Sequence, residues 1–432
     1  MLHLKKTIFP VWGAALLLVL AACSSVNKEK EELAEKISSE TSIPFTKEKA
    51  LEIVKTGFNA GDSYGEVWIR DYNTFIELSA EVFPAEVLKE NLLVFFRLQG
   101  EDGNIVDGFI PTEKAGAGYD YIYSDLEPRY AGHKNTVETD QESSLIQSVY
   151  KYIQATGDQS ILDEEIGGRS VAQRMEDALN FLLEERYSEK YGLLWGATTA
   201  DWGDVQPEHD WGVFLTDDSH LCVDIYDNAM FLIAIENYME MVPGKKAVWT
   251  EVHKKFAANS RKVLWDEKNQ KFYPHRYLDD SPFPNDFNED QIFYHGGTAV
   301  AIEAGLLSKD EIQASLMQMK ANVNAIGAGS IGLTLYPAYP EGFFKNKGMY
   351  PYGYQNGGDW TWFGARMIQQ LIRYGFLTDA YEQLLPMTRR VEENNGFYEW
   401  YTVENEPKGS GTFRGSAGVL YTAIEMLEDE LK

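Results

Sequence analysis

The stretch AEVLKENLLVFFRL, from Ala85 to Leu98, places Leu88, Leu92, Phe95 and Phe96 on one face at helical spacing. Steps of three and four residues gather side chains on one stripe of an α-helix, and a polar opposite face marks a helix that packs on one side. The same period predicts further helices over 47–59, 73–80, 141–156, 170–184, 223–241, 245–264, 298–303, 309–321, 360–374, 379–391 and 415–428. Alternating apolar and polar runs are scarce, so few strands are expected. About a dozen helices joined by alternately short and long connections predict an all-α chain of stacked helical hairpins. No repeat of fixed period is present, which argues against tetratricopeptide or ankyrin arrays.

The long connections carry the interest. They span 61–71, 100–140, 192–219, 273–297, 328–359 and 394–414, and they are rich in aromatic, acidic and glycine residues. Loops of this length inside a compact domain are commonly functional. Aromatic faces stack on the C–H surfaces of sugars, while carboxylates and amides bond hydroxyl groups. A single Tyr or Trp there needs no more explanation than capping a helix end; six such loops together do.

The chain has 432 residues, 44% of them hydrophobic and 13% aromatic, enough for a sizeable core in one large domain. Its formal net charge is −28. So acidic a surface repels phosphate backbones and excludes nucleic acid as a partner. It leaves neutral ligands such as oligosaccharides or polysaccharides unopposed. Two cysteines make no disulfide framework, and the seven histidines show no metal-ligand spacing. No metal and no cofactor is expected.

Residues 1–22 read as a signal peptide, with His3, Lys5 and Lys6 ahead of the apolar run from Ala14 to Leu20. The run is short for a transmembrane helix, which needs roughly 20 apolar residues. It ends Leu20-Ala21-Ala22-Cys23, which resembles a bacterial lipobox. That resemblance implies lipidation of Cys23 and an exported, lipid-anchored protein of the bacterial cell envelope. The absence of Asp after Cys23 points to the outer membrane. Membrane contact is expected through the anchor alone. Cys222 then has no partner and reads as a small buried hydrophobe. Residues 23–42 are expected to form the lipidated Cys and a polar tether, and 43–432 a single domain.

Five motifs follow in order. Trp68-Ile69-Arg70-Asp71 joins a guanidinium to a carboxylate, a pair that can clamp adjacent hydroxyls. Asp140 opens the helix over 141–156. Ala200-Asp201-Trp202-Gly203-Asp204 is followed by Asp224-Ile225-Tyr226-Asp227-Asn228-Ala229. Then come Tyr354-Gln355-Asn356-Gly357-Gly358-Asp359-Trp360-Thr361-Trp362 and Gly396-Phe397-Tyr398-Glu399-Trp400, the latter with Pro407-Lys408-Gly409-Ser410-Gly411 behind it.

Taken in this order, from Trp68 to Leu427, the motifs resemble those of the six-hairpin glycosidases, and most of all the amylo-α-1,6-glucosidase domain of glycogen debranching enzymes. The resemblance implies an (α/α)6 toroid barrel with its long loops on the active-site face. It implies an inverting glycoside hydrolase acting on an α-linked gluco-oligosaccharide or related glycan. Asp204 then falls on the general acid, with Asp201 as the alternate, and Glu399 on the base. Trp68, Arg70, Asp71, Asp140, Asp201, Trp202, Gln355, Asn356, Asp359, Trp360, Tyr398 and Trp400 fall on the sugar site. The chain departs from the family where Asp359 replaces an apolar residue, Thr361 a Pro, and Arg414-Gly415-Ser416-Ala417 a Trp of the closing helix. Those changes bear on which sugar is bound. The chain is expected to be a stand-alone barrel, without the debranching enzyme's other domains.

Hydrolysis by inversion needs one protonated and one ionised carboxyl, about 6.5–9.5 Å apart, leaving room for a water. An acid of this kind needs an apolar wall, and Trp202 and Trp211 flank Asp204. Three other readings compete: a glycan-binding surface lipoprotein without catalysis, a lyase or epimerase on the same barrel, and a phosphorylase. A lyase needs a Tyr or His base and, usually, a basic site for uronate, against which the acidic balance argues; a phosphorylase needs a phosphate pocket, and no basic loop supplies one.

Overall fold

The computed structural model describes residue 28 and residues 30–116, 120–210 and 213–432. The expected signal segment, Cys23 and Trp211 lie outside the described residues. Twelve helices correspond one for one to the predicted periodic stretches: α1 (Ser42–Val54), α2 (Ile69–Ala80), α3 (Ala85–Leu98), α4 (Gln141–Thr156), α5 (Val171–Glu185), α6 (Ile225–Met241), α7 (Lys246–Leu264), α8 (His295–Glu303), α9 (Lys309–Ile326), α10 (Thr361–Arg373), α11 (Leu377–Asn394) and α12 (Arg414–Glu430).

The even-numbered helices form a closed inner ring. Each packs against the next, α2 on α4, then α6, α8, α10 and α12, and α12 returns to α2. The odd-numbered helices pack outside it. Sequence distinguishes the two layers. In α6 every residue from Ile225 to Ile235 is buried, whereas in α7 only Trp249, Phe256, Ser260 and Leu264 are. A helix apolar all round belongs inside, and one with a single stripe belongs outside. The architecture is an (α/α)6 barrel, as expected.

Ends were less legible than cores. Helix α1 begins at Ser42 and stops at Val54, ahead of Gly57 with its φ of 149°. Helix α2 begins at Ile69, so Arg70 and Asp71 lie in its first turn. Residues 30–39, expected as tether, are helical, and Leu33 is buried in the core with Ile37 one turn on packed against it. That i, i+4 apolar pair docks the segment on the barrel.

Strands are short. β1 (Val67–Trp68), β2 (Gly108–Pro111) and β3 (Tyr130–His133) form one antiparallel sheet, with Trp68 opposite Gly108 and Gly108 opposite His133. β4 (Gly196–Ala197), β5 (Leu221–Val223) and β6 (Arg276–Tyr277) form another, with β5 in the middle. Cys222 is buried in β5 and its thiol donates to the Ala197 carbonyl at 3.5 Å. No helix among the described residues is long and apolar enough to cross a membrane.

Candidate active site

All six inner helices start at the same mouth of the barrel, directly after Trp68, Asp140, Asp224, Tyr294, Trp360 and Phe413. Their N-termini carry the positive ends of the helix dipoles and favour carboxylates placed there. A cavity of about 170 Å³ opens at this mouth. Larger spaces exist, such as one of about 490 Å³ at the opposite mouth, but Lys151, Glu303, Arg366 and Arg373 line that one, with Arg366 and Glu303 paired at 2.9 Å.

The floor of the smaller cavity is aromatic. Trp202 stacks on Phe363 with centroids 4.3 Å apart and meets Trp360 and Trp362 edge-on at 4.9 and 5.2 Å. Trp362 Nε1 donates to Thr74 Oγ1 and Trp360 Nε1 to the Tyr354 carbonyl, both at 2.9 Å, which fixes both rings. Trp68 lies flat across Gly108, where a Cβ would meet the indole at 2.5 Å. Trp68, Tyr64, Tyr354 and Phe413 complete the aromatic lining.

Carboxylates line the walls. Asp204 accepts from Gln355 Nε2 at 2.8 Å, and its other oxygen lies 4.0 Å from Arg70 Nη2. Glu399 accepts from the Tyr64 hydroxyl at 2.8 Å and from the Ser410 N–H at 3.2 Å. Burial pushes the Glu399 carboxyl up; those two donors pull it back, and Asp204 adds a further upward push. Arg70 donates to Glu138, which Asn135 Nδ2 holds at 2.9 Å. Asp107 and Asp140 oxygens each lie 3.9 Å from the same guanidinium. Asp71 and Asp107 are pushed up to about 7, first by burial, with Arg70 opposing.

Of the residues read from sequence, Trp68, Arg70, Asp71, Trp202, Asp204, Gln355, Trp360 and Glu399 line this one cavity. Asp140 stands just behind it, accepting from the Tyr226 hydroxyl at 2.7 Å. The others sit elsewhere. Asp201, at φ 58°, turns away and accepts the N–H groups of Gly296 and Gly297, both at 2.7 Å, at the start of α8. Asn356 staples a loop through Tyr339 and Met349. Asp359 is paired with Arg390 at 2.9 and 3.0 Å, away from the cavity. Tyr398 packs against Tyr401, and Trp400 against Tyr354, neither in the cavity wall.

Sequence reading missed Tyr64, Asp107, His133 and Phe413 as lining residues. Asp107 stands next to Gly108 in a long loop, a signal too common to single out. Tyr64 lies in the 61–71 connection but outside any of the motifs.

No family model matches the chain, and no curated protein does. Solved structures do. The GH63 mannosylglycerate hydrolase of Thermus thermophilus, in complex with Tris and D-glycerate, superposes with a TM-score of 0.62 at 14% identity, over 87% of this chain and 99% of that one. The chain has the six-hairpin (α/α)6 fold. A rhamnosidase from Klebsiella oxytoca with rhamnose bound gives a TM-score of 0.58 at 11% identity, over 90% of this chain and 64% of the other. A GH78 family rhamnosidase of a Bacillus species gives 0.59 at 12%, over 89% of this chain and 34% of that one. The likeness to debranching enzymes rests on the ordered motifs.

Proposed function

We propose that this chain is a glycoside hydrolase that removes one terminal sugar with inversion, Asp204 acting as general acid and Glu399 as base. One observation carries the reading: Asp204 and Glu399 stand in the walls of a single aromatic-floored cavity at the N-terminal mouth of the barrel. Pairs of carboxyls across one sugar site are what glycoside hydrolysis requires. The cavity is well below the range of about 300–1,000 Å³ that drug-sized ligands occupy. Its aromatic floor closes it at the base, which suits one ring rather than a threaded chain. The related folds, a mannosylglycerate hydrolase and two rhamnosidases, support glycoside hydrolysis without choosing the sugar. The motif resemblance favours an α-linked gluco-oligosaccharide. Export and anchoring through Cys23 belong to the same reading, and would put the enzyme on envelope or extracellular glycans.

The test is a panel of α- and β-linked oligosaccharides, with products followed by chromatography and the anomer of the first product by proton NMR. Release of one terminal sugar of inverted configuration is expected from the wild type and not from Asp204→Asn. Equal glycan binding by both proteins with no release from either would replace the hydrolase with a glycan-binding lipoprotein.

Tyr64 supplies a second prediction. Its hydroxyl bonds the ionised form of Glu399 and so draws that carboxyl down. In Tyr64→Phe the carboxyl rises further. A base works only when ionised, so the acid limb of kcat/KM should move to higher pH by about one unit. An unmoved limb in Tyr64→Phe would show that Glu399 is not the group titrating there.

A further inference from the structure

The charge of the cavity is one-sided. Asp71, Asp107, Asp204 and Glu399 line it, and Arg70 is the one permanently cationic side chain among its described wall residues. Arg70 is already engaged by Glu138, with oxygens of Asp107, Asp140 and Asp204 within 4.0 Å. His133, also in the wall, is pushed down to about 4 by burial and stands neutral near pH 7.

Asp107 is the informative residue. Its backbone is fixed on both sides, the N–H donating to His133 O at 2.7 Å and the carbonyl accepting from Ile69 N at 2.8 Å. Asp107 is 2% exposed, faces the cavity, and its Oδ1 accepts no hydrogen bond. A buried oxygen without a donor is costly until a ligand brings one. A hydroxyl can do so, and an ammonium does so with charge complementarity. A carboxylate brings no donor and adds a negative charge where screening is weak.

This inference rests on the reading of the cavity as a sugar site. We propose that Asp107, with Asp71, sets the charge selectivity of that site: it admits polyols that are neutral or carry an ammonium and rejects those that carry a carboxylate. The substrate class narrows to glycosides whose terminal sugar is neutral or amine-bearing, with terminal uronic acids excluded.

Three small polyols of different charge test it: tris(hydroxymethyl)aminomethane, D-glucose and D-glycerate. Their binding to the full-length chain in detergent is measured by calorimetry at fixed ionic strength in an amine-free buffer at pH 7.5, where Asp71 and Asp107, pushed up to about 7, are mostly ionised and the amine is still mostly protonated. The amine is expected to bind at least about tenfold more tightly than D-glycerate, with glucose between them. In Asp107→Asn and in Asp71→Asn that ratio should fall severalfold through weaker amine binding and stronger glycerate binding. D-glycerate binding as tightly as the amine, or a ratio unchanged in both variants, overturns the proposal. Glucose binding without any preference between the charged probes overturns the selectivity while leaving the hydrolase reading intact. Binding of none of the three overturns both.

Discussion

Glu399→Gln is expected to lower kcat by about 10²–10⁴-fold while leaving sugar binding within a few-fold of wild type. The amide matches the carboxylate in size and cannot take a proton from water. Its surroundings are specific enough to make the substitution informative. Both groups that bond Glu399, the Tyr64 hydroxyl and the Ser410 N–H, are donors. A carboxylate accepts from both; an amide keeps its oxygen on the Ser410 N–H and turns its NH₂ to the Tyr64 oxygen, which can also accept. Exchanging one bond to a charged acceptor for a neutral one costs at most about 1 kcal/mol of local stability and leaves the barrel folded. Glu404 and Glu406 lie a few residues on and are exposed, with Glu406 paired to Lys408 at 3.1 Å. Glu404→Gln should therefore retain full activity, which separates loss of the base from loss of one negative charge. Steady-state kinetics on the substrate found in the panel decides it. A loss of less than about tenfold in Glu399→Gln would remove Glu399 from the chemistry and point to Asp71 or Asp107, which share the cavity.

The helices were legible because burial imposes a period that a sequence cannot hide. In α3 Leu88, Leu92, Phe95 and Phe96 all lie in the core, and both ends match the sequence reading. The sites next to helix starts were legible for a related reason: all the inner helices begin at one mouth, so Arg70, Asp71 and Trp360 had little choice of direction. What sequence could not tell was which of two neighbouring polar residues faces the cavity. Asp201 and Asp204 are three positions apart, yet the left-handed backbone at Asp201 sends its carboxylate to the N-terminus of α8. Asp359 and Trp360 are adjacent and face opposite ways. The pairing of Asp359 depends on Arg390, 31 residues further on in α11, and nothing local announces it. Tyr64 and Asp107 were missed because single residues in long loops acquire a role only when the sheet of β1, β2 and β3 closes beside the cavity.

Asp359→Asn is the replacement expected to damage stability most, by about 3–5 kcal/mol, because it strands a buried guanidinium. Asp359 and Arg390 side chains are each 1% exposed. Both carboxylate oxygens are used, one by Nη1 at 2.9 Å and one by Nη2 at 3.0 Å, and Arg390 also donates to Thr361 Oγ1 at 2.7 Å and lies 4.0 Å over the Tyr401 ring. Ser330 donates to Asp359 at 2.7 Å. The amide would keep one acceptor and turn its own NH₂ toward the guanidinium or the Ser330 hydroxyl. Removing both charges together should be milder: Asp359→Leu with Arg390→Met should recover part of the loss, since no unpaired charge remains. The backbone adds a kinetic consequence. Asp359 exchanges both ladder bonds with Tyr401, at 3.0 and 2.8 Å, two residues from Glu399. Loosening that bridge should lower kcat through Glu399 while KM stays close to wild type. Urea unfolding and steady-state kinetics on the same variants read the two effects separately. A large rise in KM with an unchanged unfolding midpoint in Asp359→Asn would mean that the carboxylate leaves Arg390 to bind sugar, returning Asp359 to the role its motif implied. A lower midpoint with KM unchanged would make the Asp359–Arg390 pair the joint that ties α10 and α11 to the Trp400–Tyr401 strand, which follows directly on Glu399.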